Sequence, residues 1–546
     1  MEQRQRSGRE TVMAGRWRTG GSIRAIAAAA LLAGAATAAP ALAETTLRFA
    51  VMGEPGTLDP AGVSSTWEDF IVSDMFMGLT TEDPAAETIP GAAESWTVSD
   101  DGLVYTFKLR DHMWSDGTKV TADDFVFALR RLLEPARAAE YASLMYTVKG
   151  AEAFNTGRNT DPASVGVRAI DPQTVEYTLE VPAPYFLDQL THYTAFPVPR
   201  HLIEAKGDDW VKPGTIVGNG AYTVVEWTPN SQVVAVKNDK FWDAANVKID
   251  KVVYLPDQDR IAVANRFRAG EIDMTDDFAS EQIDLLRKEL PNETRIYPYL
   301  GVYYYTLNFK RPPLDDARVR RALSMAVDRE AITDKVLKTG EVPAYSWVPP
   351  GTGGYDQPQT LDFKGMPAAE RLAQAKALMA EAGYGPDKPL KLELSYNTSE
   401  NHKRIAVAVA AMWKALGVEL SLVNRDATIH YDTLQAHDFD VGRAAWVADY
   451  ADPQNFLYLM ETRTGVMNYG QYSNPEFDRL MAASALERDH AKRLALLAQA
   501  ERIAMDDNAN IPIYHYVSKR LVSTRIKGYV DNTKARNRTR WLSIEP

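Results

Sequence analysis

The chain has 546 residues, which is too many for one ordinary domain and enough for two or three. Hydrophobic residues make up 45% of it and charged residues 25%, as in globular proteins, and its formal net charge of −12 disfavours nucleic acid as a partner, because phosphate binding needs a basic surface. The sequence contains no cysteine, which excludes a thiol nucleophile, thiolate metal sites and a lipid-modified N-terminal cysteine.

The first 43 residues have the pattern of a cleavable secretory signal peptide. A basic stretch precedes an Ala/Leu-rich run from Ala25 to Ala39, and the small-residue site Ala41-Leu42-Ala43 follows. A membrane anchor is the alternative, but the run is short and rich in alanine, whereas a spanning helix needs roughly 20 apolar residues. We therefore expect cleavage before Glu44 and a soluble periplasmic product without a lipid anchor; Met13 is an alternative start.

Short strands and helices alternate in the N-terminal half. Residues 46–51 alternate as a strand, a turn-rich loop runs over residues 53–60, and residues 70–79 resume a helical pattern. The segment Ser99-Asp100-Asp101-Gly102 lies between two alternating runs and predicts a β-hairpin. A capped helix is predicted over residues 122–133.

The C-terminal half has the pattern of an α/β domain. One helix is predicted from Asp315 to about Leu337, and another from Pro367 to the glycine stop at Gly383. A strand over residues 390–396, a helix ending at Gly417 and a strand over residues 418–423 have short connections. Strand, helix and strand in this order predict a parallel βαβ unit.

Two segments follow strand ends, where open α/β sheets bind their ligands. Residues 397–403 follow one predicted strand, and residues 439–449 can follow another. A second α/β set surrounds the predicted strands at residues 233–237 and 252–255. The pattern therefore favours two lobes that face a cleft.

The segment from Phe439 to Tyr450 carries the charges that a dipolar ligand needs. It reads as a short strand that leads into a loop with Arg443, Trp446 and Asp449. A short peptide carries the complementary charges, and the ends of two to five extended residues lie roughly 6–17 Å apart. The alternative is that the two charges pair with each other or with solvent and that the tryptophan only packs.

Several motifs resemble those of the family 5 extracellular solute-binding proteins, the peptide- and nickel-binding receptors of ABC importers. Residues 91–135 contain Glu-Ser-Trp, Tyr-Thr-Phe-Lys-Leu-Arg, Trp-Ser-Asp-Gly-Thr and Thr-Ala-Asp-Asp-Phe-Val. Further matches are Glu54 to Pro60, Asn219-Gly220-Ala221-Tyr222, Phe241-Trp242 and Gly270-Glu271-Ile272-Asp273. Residues 440–450, Asp-Val-Gly-Arg-Ala-Ala-Trp-Val-Ala-Asp-Tyr, are most similar to the oligopeptide-binding members. The resemblance extends from about Thr46 almost to the C-terminus.

The resemblance implies an α/β fold of the periplasmic binding protein type II-like class, with two lobes around a ligand cleft and an additional inserted domain. Lobe I is expected to be discontinuous, over residues 44–76, 201–300 and 517–546. Residues 77–200 are expected to form the inserted domain, and residues 301–516 lobe II, which carries the main recognition segment.

The resemblance also implies roles for individual side chains. Asp449 is expected to hold the α-ammonium group of a peptide, and Arg443 to help hold its carboxylate. His402 matches a histidine that meets the carboxylate of longer peptides, although a surface histidine at a helix start is an equal alternative. Tyr141 is expected to line the cleft, and Trp446, next to Ala445, either shapes a side-chain pocket or packs.

Other positions depart from the family pattern. Leu434 and Leu337 stand where the oligopeptide receptors have further carboxylate-binding cations, and Lys338 lies one residue away from the second. Thr306 and Ser64 replace acidic residues of the cleft, and we include Thr66 beside Ser64 among the peptide-binding residues. The departures predict an altered tolerance for peptide length and charged side chains, whereas binding through the peptide main chain is retained.

The function predicted from these features is a periplasmic, peptide-binding receptor of an ABC importer. Its expected partners are a short peptide and an inner-membrane permease, and we expect a monomer without cofactor, metal or nucleic acid. A receptor for a specialised ligand, such as a murein peptide, an opine-like conjugate or a metal chelate, stays open. A secreted hydrolase is disfavoured because the sequence has no His-Glu-x-x-His, Gly-x-Ser-x-Gly or Gly-x-x-x-x-Gly-Lys-Ser/Thr motif.

Overall fold

Three main β-sheets, flanked by helices, build the part of the chain that the computed structural model describes, residues 44–545. The predicted signal peptide and its cleavage site lie outside the described residues, apart from Glu44. No helix within residues 44–545 combines the length and the apolar character that crossing a membrane requires.

The strands are β1 Thr46–Val51, β2 Thr80–Glu82, β3 Thr88–Pro90, β4 Ala93–Val98, β5 Val104–Leu109, β6 Val167–Asp171, β7 Thr174–Thr178, β8 Tyr222–Thr228, β9 Gln232–Lys237, β10 Lys251–Pro256, β11 Met274–Thr275, β12 Thr294–Leu307, β13 Val342–Pro343, β14 Leu390–Asn397, β15 Val418–Arg425, β16 Val441–Val447, β17 Asn510–Leu521, β18 Ile526–Lys527 and β19 Ser543–Ile544.

The α-helices are α1 Thr66–Met75, α2 Ala122–Leu132, α3 Ala151–Asn155, α4 Phe186–Gln189, α5 Arg200–Lys206, α6 Arg260–Arg268, α7 Ile283–Glu289, α8 Ala317–Ala326, α9 Arg329–Ala331, α10 Ala368–Glu381, α11 Glu400–Lys414, α12 Ala427–Gln435, α13 Gln454–Leu457, α14 Pro475–Leu486 and α15 His490–Asp506.

The first sheet has five strands in the order β11-β1-β10-β9-β8. β1 runs parallel to both β10 and β11, so the carboxyl ends of these three strands lie at one edge. A second sheet, β4-β5-β7-β6, is antiparallel throughout, and the predicted turn at residues 99–102 joins β4 to β5. Gly102 has φ +74 there, a conformation that glycine adopts without strain.

The third sheet has six strands in the order β13-β17-β12-β16-β14-β15. β14 pairs in parallel with β15 over its whole length, and α11 connects the two strands, as the βαβ pattern predicted. α10 also lies where a helix was predicted. Val409 and Trp413 of α11 are fully buried, which shows that the apolar face of this helix packs on the sheet.

Two predicted helices differ from the observed ones. The helix predicted from Asp315 to Leu337 breaks after α8, because the side chain of Arg329 turns inward and donates to the carbonyl oxygens of Val327, Ala344 and Pro512. The helix predicted over residues 70–79 begins earlier, at Thr66, because the carboxylate of Glu68 accepts hydrogen bonds from the backbone before it. It also ends earlier, at Met75.

The described residues form two large hydrophobic cores and a smaller third cluster around Phe267 and Phe278. The first core, around Phe49, Phe107 and Phe186, joins the five-stranded sheet to the four-stranded sheet. The second core, around Tyr303 and Trp413, packs the six-stranded sheet.

β12 and β17 connect the two cores. Their outer ends pair with each other beside the first sheet, where Leu521 N donates to Thr275 Oγ1 at 2.9 Å. Their inner ends pair within the six-stranded sheet, and the register shifts between Pro298 and Val302. A long strand pair with an irregularity in its middle is a connection about which two packed regions can move.

Candidate functional site

One edge of β16 is open along most of the strand. On one side β16 pairs with β12 over its whole length, from Val441 to Val447, but on the other side β14 reaches only Val441 and Gly442. Ala448 N donates to Leu300 O of β12, so alternate residues direct their backbone groups towards β12. Ala445 and Val447 therefore direct their backbone N–H and C=O groups towards the open edge.

Arg443 lies at the start of this open edge with its guanidinium group buried. Its N–H groups donate to Asn397 Oδ1 at 3.0 Å, Tyr431 Oη at 3.2 Å and Tyr516 Oη at 3.0 Å, and its Cζ lies 4.7 Å from the ring centre of Tyr303. Within residues 44–545 no acidic side chain forms an ion pair with it, and its Nε has no hydrogen-bond partner. Such a cation can accept an anionic ligand.

The charge of Arg443 is retained in spite of its burial. Burial by itself would lower the pKa of the guanidinium, but the surrounding tyrosine hydroxyls raise it above the ordinary arginine value. Arg443 is therefore a permanent cation in a ring of neutral hydrogen-bonding groups.

His402 lies beside Arg443. Its ring is 5.5 Å from the ring of Tyr303, and Nδ1 is buried without a partner. Burial and the charge of Arg443 lower the pKa of His402 to about 2, so the ring is neutral. A neutral imidazole can donate one hydrogen bond to a ligand carboxylate. The structure thus brings His402 and Arg443 together, and the role of His402 in carboxylate binding stays a prediction.

Asp449 follows the other end of β16 and is half-buried. Its carboxylate accepts a long hydrogen bond from Asn455 Nδ2 at 3.4 Å, and its backbone N–H donates to Asn455 Oδ1 at 3.1 Å. Burial raises the pKa of Asp449 to about 6. The hydrogen bond from Asn455 and the charge of Arg536 lower the pKa of Asp449, but burial outweighs both. No ion pair reaches Asp449 within residues 44–545, and Arg536 forms its ion pairs with Glu82 and Asp69.

Tyrosine side chains from both cores surround Asp449. The negative charge of Asp449, together with burial as the larger cause, raises the pKa of Tyr141, Tyr193 and Tyr458 above the ordinary tyrosine value. Tyr141 packs its ring on His192 of the first core at 5.6 Å. Asp449 is therefore near enough to Tyr141 for its charge to act on that hydroxyl. The predicted role of Tyr141 in lining the cleft stays a prediction.

Trp446 and Ala445 lie on opposite faces of β16. Trp446 Nε1 donates to Asn455 Oδ1 at 2.9 Å, and its ring meets Tyr458 edge-on at 5.7 Å. Trp446 thus helps to fix the amide that contacts Asp449. Ala445 pairs with Tyr303 in β12, and its contribution to the open edge is its backbone.

The remaining predicted residues are Ser64, Thr66 and Thr306. In the described part of the chain, their side chains form no hydrogen bond or ion pair with Arg443 or Asp449. Ser64 and Thr66 are exposed at the start of α1. Thr306 is buried between Gly442 and Gly470. Their predicted contact with a peptide stays a prediction.

Leu434 and Leu337, the two residues at predicted cation positions, belong to the second core. Leu434 fills the space that a side chain at Gly442 would need. Both leucines therefore pack, and neither contributes charge to the site.

Three site residues were missed in the sequence: Asn455, Tyr431 and Tyr516. They come from α13, α12 and β17, and only the packing of the sheet brings them to β16. Asn397 could have been found, because it ends a parallel strand within the loop predicted to face the ligand. Within the described residues no group of His, Cys, Asp and Glu side chains could hold a metal ion.

Comparisons with known proteins agree with this architecture. The model of the bacterial extracellular solute-binding proteins, family 5 Middle, matches residues 87–468. The periplasmic oligopeptide-binding protein OppA of Escherichia coli K12 is 42% identical over 496 residues, which cover 89% of this chain and 90% of OppA. The fold and the site thus define a solute-binding protein with two lobes around a cleft. The chain belongs to family 5 of the bacterial extracellular solute-binding proteins.

Solved structures of relatives have the same fold. The murein tripeptide-binding protein MppA of Escherichia coli superposes with a TM-score of 0.83 at 39% identity, over 92% of this chain and 99% of MppA. The unliganded open form of MppA gives a TM-score of 0.77, over 92% and 98% of the two chains. OppA of Haemophilus influenzae in complex with the peptide RPPGFSPFR gives 0.81 at 36% identity, over 92% and 99%.

Proposed function

We propose that the protein is a periplasmic receptor that encloses a short peptide between its two lobes and delivers it to an ABC importer of the inner membrane. The observation that carries this proposal is a pair of uncompensated charges at the two ends of one open strand edge. Arg443 has no carboxylate partner and Asp449 has no cationic partner within the described chain.

The charges suit a ligand with an ammonium group at one end and a carboxylate at the other. Burying an unpaired charge is unfavourable, so each residue is stabilised when a ligand group of opposite sign arrives. The six positions between the two residues span at most roughly 20 Å of extended chain. This is the scale of a peptide of three to five residues with free termini.

The open edge of β16 supplies the contacts between the two ends. Backbone groups of Ala445 and Val447 can pair with an extended ligand, as in the addition of a strand to a sheet edge. Main-chain pairing does not depend on the side chains of the ligand. This supports a receptor for peptides of varied sequence, in agreement with the peptide that the OppA relative from Haemophilus influenzae binds.

A specialised peptide ligand is a second candidate. It is favoured by the neutral leucines at positions 337 and 434 and by the likeness to MppA, which is named for a murein tripeptide. A ligand of this kind would still need an amino group for Asp449. The proposal assigns no catalytic step to either candidate, and it treats the protein as a monomer exported by its signal peptide.

Mass spectrometry of the material that co-purifies with the protein tests the proposal. We expect intact peptides with free N-termini, and a rise in melting temperature on adding trialanine but not N-acetyl-trialanine, because a ligand that binds only the folded state stabilises it by mass action. Equal rises with both compounds would contradict the role of Asp449. Steady cleavage of trialanine would contradict a receptor.

A further inference from the structure

A contact between the two cores begins at Tyr450, the residue after Asp449. The anchor loop, defined here as residues 449–455, carries Asp449 and connects β16 to α13. It touches Tyr185 and Asp188, which belong to the short segment around α4 in the first core. These contacts join the second core to the first directly beside the predicted ammonium site.

Asp188 provides the polar part of this contact. Its Oδ2 accepts a hydrogen bond from the backbone N–H of Ala451 at 2.7 Å. Its other oxygen accepts a hydrogen bond from Thr88 Oγ1 at 2.8 Å and forms an ion pair with Lys534. Asp188 is therefore fixed in the first core by two partners while it reaches across to the anchor loop.

Tyr185 provides the apolar part. Its ring stacks on Tyr450 with 4.7 Å between ring centres and 9° between planes. The guanidinium of Arg493 lies 5.5 Å from the same ring and forms a buried, bidentate ion pair with Asp452 at 2.7 and 2.9 Å. Tyr450, before Ala451, is thus packed on Tyr185, and Asp452, after it, is paired with Arg493. Both contacts hold the backbone of Ala451 where its N–H meets Asp188.

The anchor loop transmits this contact to Asp449. Asn455 Oδ1 accepts a hydrogen bond from the backbone N–H of Asp449, and Asn455 Nδ2 donates to its carboxylate, so the conformation of the loop sets the position of Asp449. A backbone N–H that donates to a carboxylate forms one of the stronger hydrogen bonds in proteins. Separation of the two cores breaks the Asp188–Ala451 bond and the Tyr185–Tyr450 stack together, because all four residues lie on opposing cores.

We infer that Asp188 is a positioning residue that latches the anchor loop when the lobes close, so that closure and recognition of the ligand's amino group form one coupled step. The structure has the contact in place, and it superposes better on one structure of MppA than on the open form of MppA. The ligand-dependent half of this inference rests on the proposed function; the closing contact itself does not.

The experiment measures closure and ligand release in one labelled protein. The chain has no cysteine, so cysteines introduced at the exposed positions Thr160 and Ala482 take spin labels specifically. Pulsed electron paramagnetic resonance then gives the distribution of distances between the two labels, and hence the ratio of closed to open molecules, with and without trialanine. Stopped-flow measurements give the dissociation rate of trialanine.

The variants separate the latch from a general structural effect. Asp188→Ala removes the carboxylate that accepts from Ala451 N, and Asp188→Asn keeps an oxygen that can accept this bond. Tyr185→Leu removes the stacking on Tyr450 and leaves the ion pair of Asp188 with Lys534 in place. The matched control is Asp161→Ala. It also removes a hydrogen bond from a backbone N–H to a carboxylate, that of Ala163 N with Asp161 at 2.9 Å, but this bond does not join the two cores.

We expect Asp188→Ala to lower the ratio of closed to open molecules and to raise the dissociation rate of trialanine about tenfold, because a hydrogen bond to a charged group is lost. Asp188→Asn should restore most of both values, Tyr185→Leu should lower the ratio in the same direction, and Asp161→Ala should change neither.

A ratio and a rate within twofold of the wild type in Asp188→Ala would overturn the inference, and so would equal losses in the alanine and asparagine variants. If the wild type binds no trialanine while Asp188→Ala still lowers the closed fraction of the ligand-free protein, the proposed ligand is contradicted and the latch is supported. If the wild type never shows the shorter distance between the labels that the closed molecule should give, the inference that Asp188 latches the anchor loop is overturned.

Discussion

Two side chains at this site, Arg443 and Asp449, carry charge without an ion-pair partner in the described part of the chain. The buried guanidinium of Arg493, for comparison, is paired with Asp452 through two contacts. Arg443 and Asp449 are not, although both lie in surroundings that disfavour an isolated charge. Such residues are stable only because hydrogen bonds support them, and they gain most from a ligand of opposite charge.

The pH dependence of binding tests Asp449. Only the ionised carboxylate attracts an ammonium group, and the pKa of Asp449 is raised to about 6 by burial. We expect the affinity for trialanine, measured by calorimetry, to be constant above pH 7 and to fall up to tenfold for each pH unit below about 6. Asp449→Asn should bind weakly and without this dependence. An unchanged pH profile in the variant would contradict the assignment.

The stability of the ligand-free protein should show the opposite trend from the same residue. A raised pKa in the folded state means that folding takes up a proton between about pH 4 and 6. The stabilisation that Asp449 contributes is therefore present below about pH 4 and is lost as the pH rises through 6. The difference in melting temperature between the wild type and Asp449→Asn should follow this direction; a difference independent of pH would argue against a raised pKa.

The length preference of the receptor tests Arg443. Arg443→Ala should weaken trialanine binding by roughly tenfold or more, because a charge-assisted hydrogen bond to the carboxylate is lost, and should leave C-amidated trialanine unaffected. Calorimetry with peptides of two to five residues should show the largest losses for the shortest. Arg425→Ala is a suitable control, since Arg425 already pairs with Glu393 at 3.1 Å. A uniform loss at all lengths would contradict the role of Arg443.

At the scale of elements, local patterns predicted what local forces determine. The βαβ unit of β14, α11 and β15 was predicted because its alternation, helical period and glycine stop all lie within about 35 residues. The helix from Asp315 to Leu337 was predicted too long, because only the distant carbonyl groups that receive Arg329 reveal its break. Asn455, Tyr431 and Tyr516 reach the site through tertiary packing, and no spacing in the sequence indicates this.

The open edge of β16 can be tested with proline. Ala445 directs its N–H towards the open edge, so Ala445→Pro removes a ligand contact while the pairing with β12 keeps its hydrogen bonds. We expect a folded protein, by circular dichroism, whose affinity for trialanine falls about tenfold. Ala444→Pro removes an N–H that serves β12, and it should destabilise the fold. Full affinity in Ala445→Pro would exclude strand addition at this edge.

At the scale of the whole molecule, a buried ionic network ties the C-terminal segment to the first core. Glu82 is completely buried. Its carboxylate forms ion pairs with Arg538 at 2.8 Å, Arg536 at 3.1 Å and Lys534 at 3.5 Å. Burial would raise the pKa of Glu82, but the three cations outweigh it and lower the pKa to about 2. Arg536 and Lys534 form their ion pairs with Glu82, Asp69 and Asp188, and neither forms one with Asp449 in the described part of the chain.

Removal of this central carboxylate should unfold the first core more easily. Glu82→Gln leaves three buried cations without their shared anion, and breaking a buried ion pair lowers the free energy of unfolding by about 3–5 kcal/mol. Because the folded pKa is depressed, the stabilisation from Glu82 is present above about pH 4.5 and is lost as the pH falls towards 2.

Urea denaturation at pH 7 and pH 3 should therefore show a large difference in the free energy of unfolding between wild type and variant at pH 7 and a smaller one at pH 3. Glu87→Gln, an exposed change in the turn between β2 and β3, should have little effect at either pH. If the two variants were equally stable at pH 7, Glu82 would not be the anion that stabilises these buried cations.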